Sequence, residues 1–293
     1  MRIRPMTLDD IPAAERLSAV AFHDLDLRTQ PPGFPPPELR SPDRAQAWVR
    51  RLRHLVEHDA PGCWVAEDDE GRIVGQSIAT VREGLWGLSN YGVLPDLQAR
   101  GIGKQLLEAS LAYGDPTGPG IICASPDPRA TRRYRLAGFA MHPAMMVHGT
   151  VDRQSLPALP DVRAGSAEDV DLLDAIDRKV RGAGHGPDFP VMMEQFGLKV
   201  LESGGSRGYA FHLADGSPYL LAATDVEAAQ AVLWACLAES SGEEPVEFDN
   251  LTAPQQWAVD VGLAAGLAVH ARGFVGLRNL EPPTPYIPSG HFL

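Results

Sequence analysis

The segment IRPMTLDDIPAAERL, from Ile3, returns as VRAGSAEDVDLLDAI from Val162, 159 residues later. Each copy reads as a short strand, a helix cap (Thr7 or Ser166), acids in the first turn and an apolar helix face. A second echo, AGFAMHP from Ala137 and AGLAVHA from Ala265, lies at an offset of 128. A chain that repeats itself near both ends of one plan folds as two copies of it, the second 31 residues shorter between these landmarks. The join falls near DRQSLPALPD, which divides the chain into domains over 1–152 and 160–293.

Within the first copy the pattern predicts a strand over about 1–5 and helices over roughly 7–23 and 41–59, separated by a proline-rich loop. Strands CWVAED and IVGQSIATVR follow around the turn DDEGR, then a strand through LSNYGVL. A helix opens at Gly101, followed by the strand GIICAS, a helix Pro128–Ala137 and terminal strands through AMMVHG. The second copy reads as strand and helix, a hairpin near YAFHLADGSPYLLAA, a helix Asp225–Leu237, the strand VEFDN, a helix Ala253–Gly266 and final strands. This is an α/β fold.

The stretch VLPDLQARGIGKQLL, from Val93, places Gly101 and Gly103 where a helix begins. Glycine admits close approach of the backbone to a ligand, and the first turn of a helix points free N–H groups and a positive dipole end outward. The segment therefore reads as a phosphate cradle. It is no P-loop, because Gly103-Lys104 is followed by Gln105, nor a Rossmann fingerprint, because Leu106 occupies the third small position. The pattern that fits is Gln98-x-x-Gly101-x-Gly103 after a strand. It resembles the pyrophosphate loop of the GNAT superfamily of N-acetyltransferases. DPRATRRYRLAGF is similar to that family's fourth helix, with Asp127 where an Asn is usual. The resemblance implies two tandem GNAT-like mixed α/β domains, each a twisted, largely antiparallel sheet flanked by helices, the second degenerate.

It also implies acetyl-CoA as the acetyl donor and an amine of a small molecule or peptide as the acceptor, with no metal. The cofactor contacts would be the backbones of Tyr91 and Val93, the loop Gln98, Ala99, Arg100, Gly101, Ile102, Gly103 and Lys104, and Asp127. Arg100 and Lys104 would add cationic donors. Tyr134 would be the general acid for the departing thiolate. Glu83, His23, Asp24, Asp26 and a water chain all remain open as the base. The loop Arg28–Ser41 is a candidate lid. The tail PYIPSGHFL is a second candidate to line the acceptor site, with its aromatic residues docked on the cleft and the carboxylate of Leu293 placed there. The second copy has no glycine pair, and Gly262 stands where the first has Tyr134, so one CoA per chain is expected. A non-enzymatic acyl-CoA sensor is the alternative.

Net charge is −12, which disfavours nucleic acid and an anionic membrane as partners. Residues 1–150 carry 17 basic and 18 acidic side chains and 151–293 carry 9 and 20, so the acidity lies in the second half, where it could attract cationic acceptors. Cys63, Cys123 and Cys236 are far apart in apolar settings and read as free thiols of a cytoplasmic protein, monomer or homodimer. His54 and His58 share a helix face without a third ligand and read as solvated.

Overall fold

The structure, a computed structural model, describes residues 1–31, 34–159 and 161–293. The first half runs β1 (Arg2–Pro5), α1 (Ile11–Thr29), α2 (Pro42–His58), β2 (Cys63–Glu67), β3 (Ile73–Arg82), β4 (Leu85–Val93), α3 (Ile102–Leu111), β5 (Gly120–Ala124), α4 (Pro128–Leu136) and β6 (Ala140–Gly149). The second continues with β7 (Val162–Ala164), α5 (Val170–Arg181), α6 (Asp188–Met193), β8 (Gly197–Ser203), β9 (Ser206–His212) and β10 (Pro218–Ala223). It ends with α7 (Val226–Leu237), β11 (Val246–Leu251), α8 (Gln256–Ala264), β12 (Ala268–Arg278) and β13 (Tyr286–Ile287).

The repeat is physical as well as textual. Arg4 grips Asp10 through two nitrogens at 2.7 and 2.8 Å, and Asp10 accepts the N–H of Thr7 at 2.8 Å. Arg163 grips Asp169 at 2.9 and 2.5 Å, and Asp169 accepts the N–H of Ser166 at 2.8 Å. Each device satisfies a donor left over at a helix start. The sequence reading missed α6 and β8. The signal for the β8–β9 hairpin lay in Gly204-Gly205, both left-handed, between two alternating runs.

Each half surrenders a strand to the other. The larger sheet has the order β1-β2-β3-β4-β5-β12-β6-β11, so β12 of the second half lies between β5 and β6 of the first. In turn β6 lies between β12 and β11 of the second half. β6 and β12 are the repeat-related strands after the 128-residue echo, and they pair antiparallel from Ala268↔His148 to Leu277↔Ala140. The expected terminal strands of the first copy are therefore one long strand plus a borrowed one. The smaller sheet is β13-β10-β9-β8-β7.

The halves share one apolar core, in which Ile11, Trp48 and Leu55 meet Phe189, Phe211, Tyr286, Phe292 and Leu293. A buried charge cluster crosses the same boundary. Arg82 donates to Asp59 at 2.8 Å and to Asp188 at 2.7 Å, and His54 Nε2 lies 2.7 Å from Asp188. His54 is thus not part of a solvated face. Its position four residues before His58 reflects the helix, and its partner lies 134 residues away. Such a cluster is tolerated only because every charge has a partner.

Candidate active site

β4 and β5 run parallel and are joined only through Trp86↔Gly120 and Gly87↔Ile121. Beyond that point they diverge, and a cleft of about 510 Å³ opens between them. The β3–β4 register slips between Ile78↔Asn90 and Ala79↔Leu88, which leaves Ser89 as the extra residue of a bulge. Bulges bend a strand and re-aim its groups. Leu88, Ser89, Asn90, Tyr91 and Val93 then line the cleft with an edge that has no strand partner on the β5 side.

The glycine loop closes one end. Ala99 and Gly101 are left-handed, with φ of 63° and 85°, and Gly101 caps α3. Among the described residues, no backbone N–H from 99 to 104 has a protein acceptor. Gln98 Nε2 donates to the carbonyl of Val93 at 3.0 Å and ties the loop to the end of β4. Gly103 has a different reason to be glycine: a Cβ there would sit 2.4 Å from the Tyr91 hydroxyl. The loop residues Gln98, Ala99, Gly101, Ile102, Gly103 and Lys104 all line the cleft. Arg100 does not; its side chain is exposed and turned back to the carbonyl of Asp96 at 3.3 Å.

Cations that the sequence reading passed over surround this end. Arg28, Arg129, Arg132 and Arg133 join Lys104 on the cleft wall, against one acid, Asp127. Asp127 caps α4 by accepting the N–H of Arg129 at 2.8 Å, and it pairs with the Arg129 side chain at 2.6 Å. The Arg129 hydrogen bond, outweighing burial, holds its carboxyl at about 2. Both oxygens are thus engaged as acceptors, and Asp127 itself stands on the cleft wall. In a chain of net charge −12, a basic cleft is a local construction that suits an anion carrying phosphates.

Tyr134 lies across from the loop, 5% exposed, its ring 6.1 Å from that of Tyr91. Burial, with Tyr91 and Asp127 adding to it, pushes the Tyr134 phenol well above its usual range, so it remains a proton donor. Burial likewise raises Tyr91 to about 12, against the pull of Arg133. Glu83, His23, Asp24 and Asp26 are not on the cleft wall; α1 presents Ala21, Phe22, Leu25 and Arg28 instead. Glu83 is held elsewhere by its partners. Hydrogen bonds from Arg178 and from the N–H of Gly184 hold it at about 2, at the boundary between the halves.

Residues 20–139 match the family model described as "Acetyltransferase (GNAT) family". The first half of the chain belongs to that family. No curated protein matches this chain significantly. A candidate acetyltransferase of Pyrococcus horikoshii has the same fold, with 16% identity and a TM-score of 0.74 over 100% of this chain and 95% of its own. A GCN5-related N-acetyltransferase from Sphaerobacter thermophilus superimposes with a TM-score of 0.59 at 15% identity over 96% of each chain. A tandem GNAT protein from the clavulanic acid biosynthesis pathway gives 0.54 at 15% identity, over 97% of this chain and 99% of that one.

Among the described residues, the second half has the edge that would open an equivalent cleft already occupied. There β13 fills the edge of β10, pairing Leu221↔Ile287 and Ala222↔Tyr286. The start of α7 is also satisfied from within, because Asp225 accepts the N–H of Ala228 at 2.9 Å. The tail beyond β13 returns to the first half, where Gly290 and His291 line the GNAT cleft. Leu293 does not reach it. Its apolar side chain is drawn into the core against Gly87, and its carbonyl accepts from Thr80 Oγ1 at 3.1 Å. In the proposed lid, Pro32 and Gly33 lie outside the described residues, and α1 runs on to Thr29. Phe34 rests on His148 and His270, with ring centroids 4.6 and 5.1 Å apart. Among the described residues no helix is long and apolar enough to cross a membrane.

Proposed function

We propose that the protein transfers an acetyl group from acetyl-CoA to a primary amine, with 1–152 as the catalytic unit and 160–293 as a non-catalytic copy. The parting of β4 from β5, directly beside the unpaired N–H groups of residues 99–104, is the observation that carries this reading. Those N–H groups and the dipole of α3 suit a pyrophosphate, with Lys104 and the α4 arginines neutralising it. The free edge of β4 from Leu88 to Val93 suits an extended pantetheine arm, and one of its amides would polarise the thioester carbonyl.

The amine attacks the carbonyl carbon, the C–N bond forms as the C–S bond breaks, the Tyr134 hydroxyl steadies the departing sulfur by a hydrogen bond, and the proton lost by the amine passes through water to the thiolate. The experiment is calorimetric titration with acetyl-CoA, followed by thiol release measured against a panel of amines. Binding with amine-dependent thiol release is expected. Binding without it would make the protein an acyl-CoA sensor, and absence of binding would overturn both.

A further inference from the structure

β4 turns its side chains over at the bulge. Leu88 pairs with Ala79 and joins Leu107 and Tyr134 on the α3–α4 side of the sheet. Asn90 pairs with Ile78, whose side chain joins Ile11 and Trp48 on the α1–α2 side. Regular alternation would put Leu88 and Asn90 on one face, and the extra residue Ser89 sends Asn90 to the other. There Asn90 is 7% exposed and lines the cleft. Its carboxamide is held at both ends. Gln76 Nε2, on β3, donates to Asn90 Oδ1 at 2.6 Å, and Asn90 Nδ2 reaches Ser18 Oγ of α1 at 3.5 Å. Ser18 Oγ also accepts from Arg40 at 3.1 Å, and the charge of Arg40 is met by Glu15 at 2.7 Å.

Gln76 is fully buried, and among the described residues its Oε1 has no hydrogen-bond partner. An orphaned carbonyl oxygen destabilises a fold, and an apolar side chain of that size would avoid it. The glutamine is therefore explained by what it does to Asn90, at a place where local stability gives way to function. An amide oxygen has two lone pairs, and Gln76 uses one of those on Asn90 Oδ1. The other is left for a group in the cleft, beside the free edge of β4. The acids are elsewhere: Asp127 is taken by Arg129, and Asp26 and Asp249 are not on the cleft wall.

We propose, resting on the acetyltransferase reading above, that Asn90 Oδ1 accepts a hydrogen bond from the attacking amine, and that Gln76 is the positioning residue that aims it. The nitrogen becomes positive as its lone pair forms the bond to carbon, and a fixed amide oxygen against its N–H favours that charge. A primary amine gives one N–H to Asn90 and keeps a second for the water that takes its proton. An N-methyl amine has one N–H and must give up one of these contacts. The site therefore selects primary amines over their N-methyl counterparts.

The test sets each primary amine of a panel against its N-methyl counterpart. Steady-state kcat/KM should favour the primary amine by about tenfold to a hundredfold, the range of one hydrogen bond to a group that becomes charged. Asn90→Leu, of similar size, should lower kcat/KM for the primary amine by a like factor and erase the preference, with acetyl-CoA affinity unchanged. Gln76→Leu should weaken the preference while the thermal unfolding temperature stays level or rises, because the orphaned oxygen leaves with the amide. A purely structural glutamine would lose stability and keep the preference. Calorimetry of both amines with the CoA-loaded protein reads the preference without turnover. If no amine is acetylated but the primary amine still binds more tightly through Asn90, the transferase reading fails and this one stands. A preference that survives Asn90→Leu, equal use of the two amines, or, without turnover, equal binding or none, overturns it.

Discussion

Tyr134 is buried in a way that decides what kind of acid it can be. Its pKa lies above the usual 10, whereas a thiol is near 8.5, so full proton transfer is uphill by at least about 2 kcal/mol. A hydrogen bond to the developing thiolate therefore carries its effect. Tyr134→Phe should lower kcat by about 10²–10⁴-fold with acetyl-CoA affinity unchanged, and wild-type kcat should show no loss from this group up to about pH 10. Turnover of the mutant at the wild-type rate would make Tyr134 a packing residue. Gly103 gives a second measurement. Gly103→Ala should cost about 1–3 kcal/mol in thermal unfolding, because its Cβ meets the Tyr91 hydroxyl, and Tyr91→Phe should recover part of that cost. Additive losses in the double mutant would dismiss the contact. The loop was legible in sequence because left-handed backbone at a helix start leaves a glycine behind, as at Gly101. Arg28, Arg129, Arg132 and Arg133 were not, since a cation's direction depends on how its helix is rotated against the sheet. The same rotation carries His23, Asp24 and Asp26 away from the cleft.

At the scale of elements, one short strand and one cap distinguish the two halves at the place of the cleft. β13 occupies the edge of β10 that corresponds to the free edge of β4, and Asp225 occupies the helix start that corresponds to the cradle. Calorimetry should accordingly give one acetyl-CoA per chain, and a stoichiometry near two would show that β13 is displaced by ligand. The element order was readable from the 159- and 128-residue echoes, because caps and apolar periodicity are local signals. The exchange of β6 and β12 was not, because strand partners are chosen by the whole sheet and leave no local mark. Two residues of β13 are likewise too few to show alternation.

For the whole molecule, the halves are bound by shared core, exchanged strands and the Arg82 cluster. Asp188→Asn should lower stability by about 1.5–3 kcal/mol in denaturant unfolding, because it weakens the charge-assisted hydrogen bonds from Arg82 and His54 while Asp59 still pairs Arg82. A change below about 1 kcal/mol would mean that the cluster is solvated or rearranges. Burial opposes ionisation of Asp188, yet hydrogen bonds from His54 and Arg82 outweigh it and its pKa is lowered. Its contribution is therefore present above about pH 4, the unfolded value, and is lost as pH falls below it. The exchanged strand also fixes an order of events during synthesis. β5 and β6 cannot be joined until Ala268–Arg278 has been made, and β6 ends at Gly149. At about 5–20 residues per second, the nascent chain carries two unpaired β edges for roughly 6–25 s. The sheet that frames the cleft of the first half is thus completed by chain made long after that half, once Arg278 has been added.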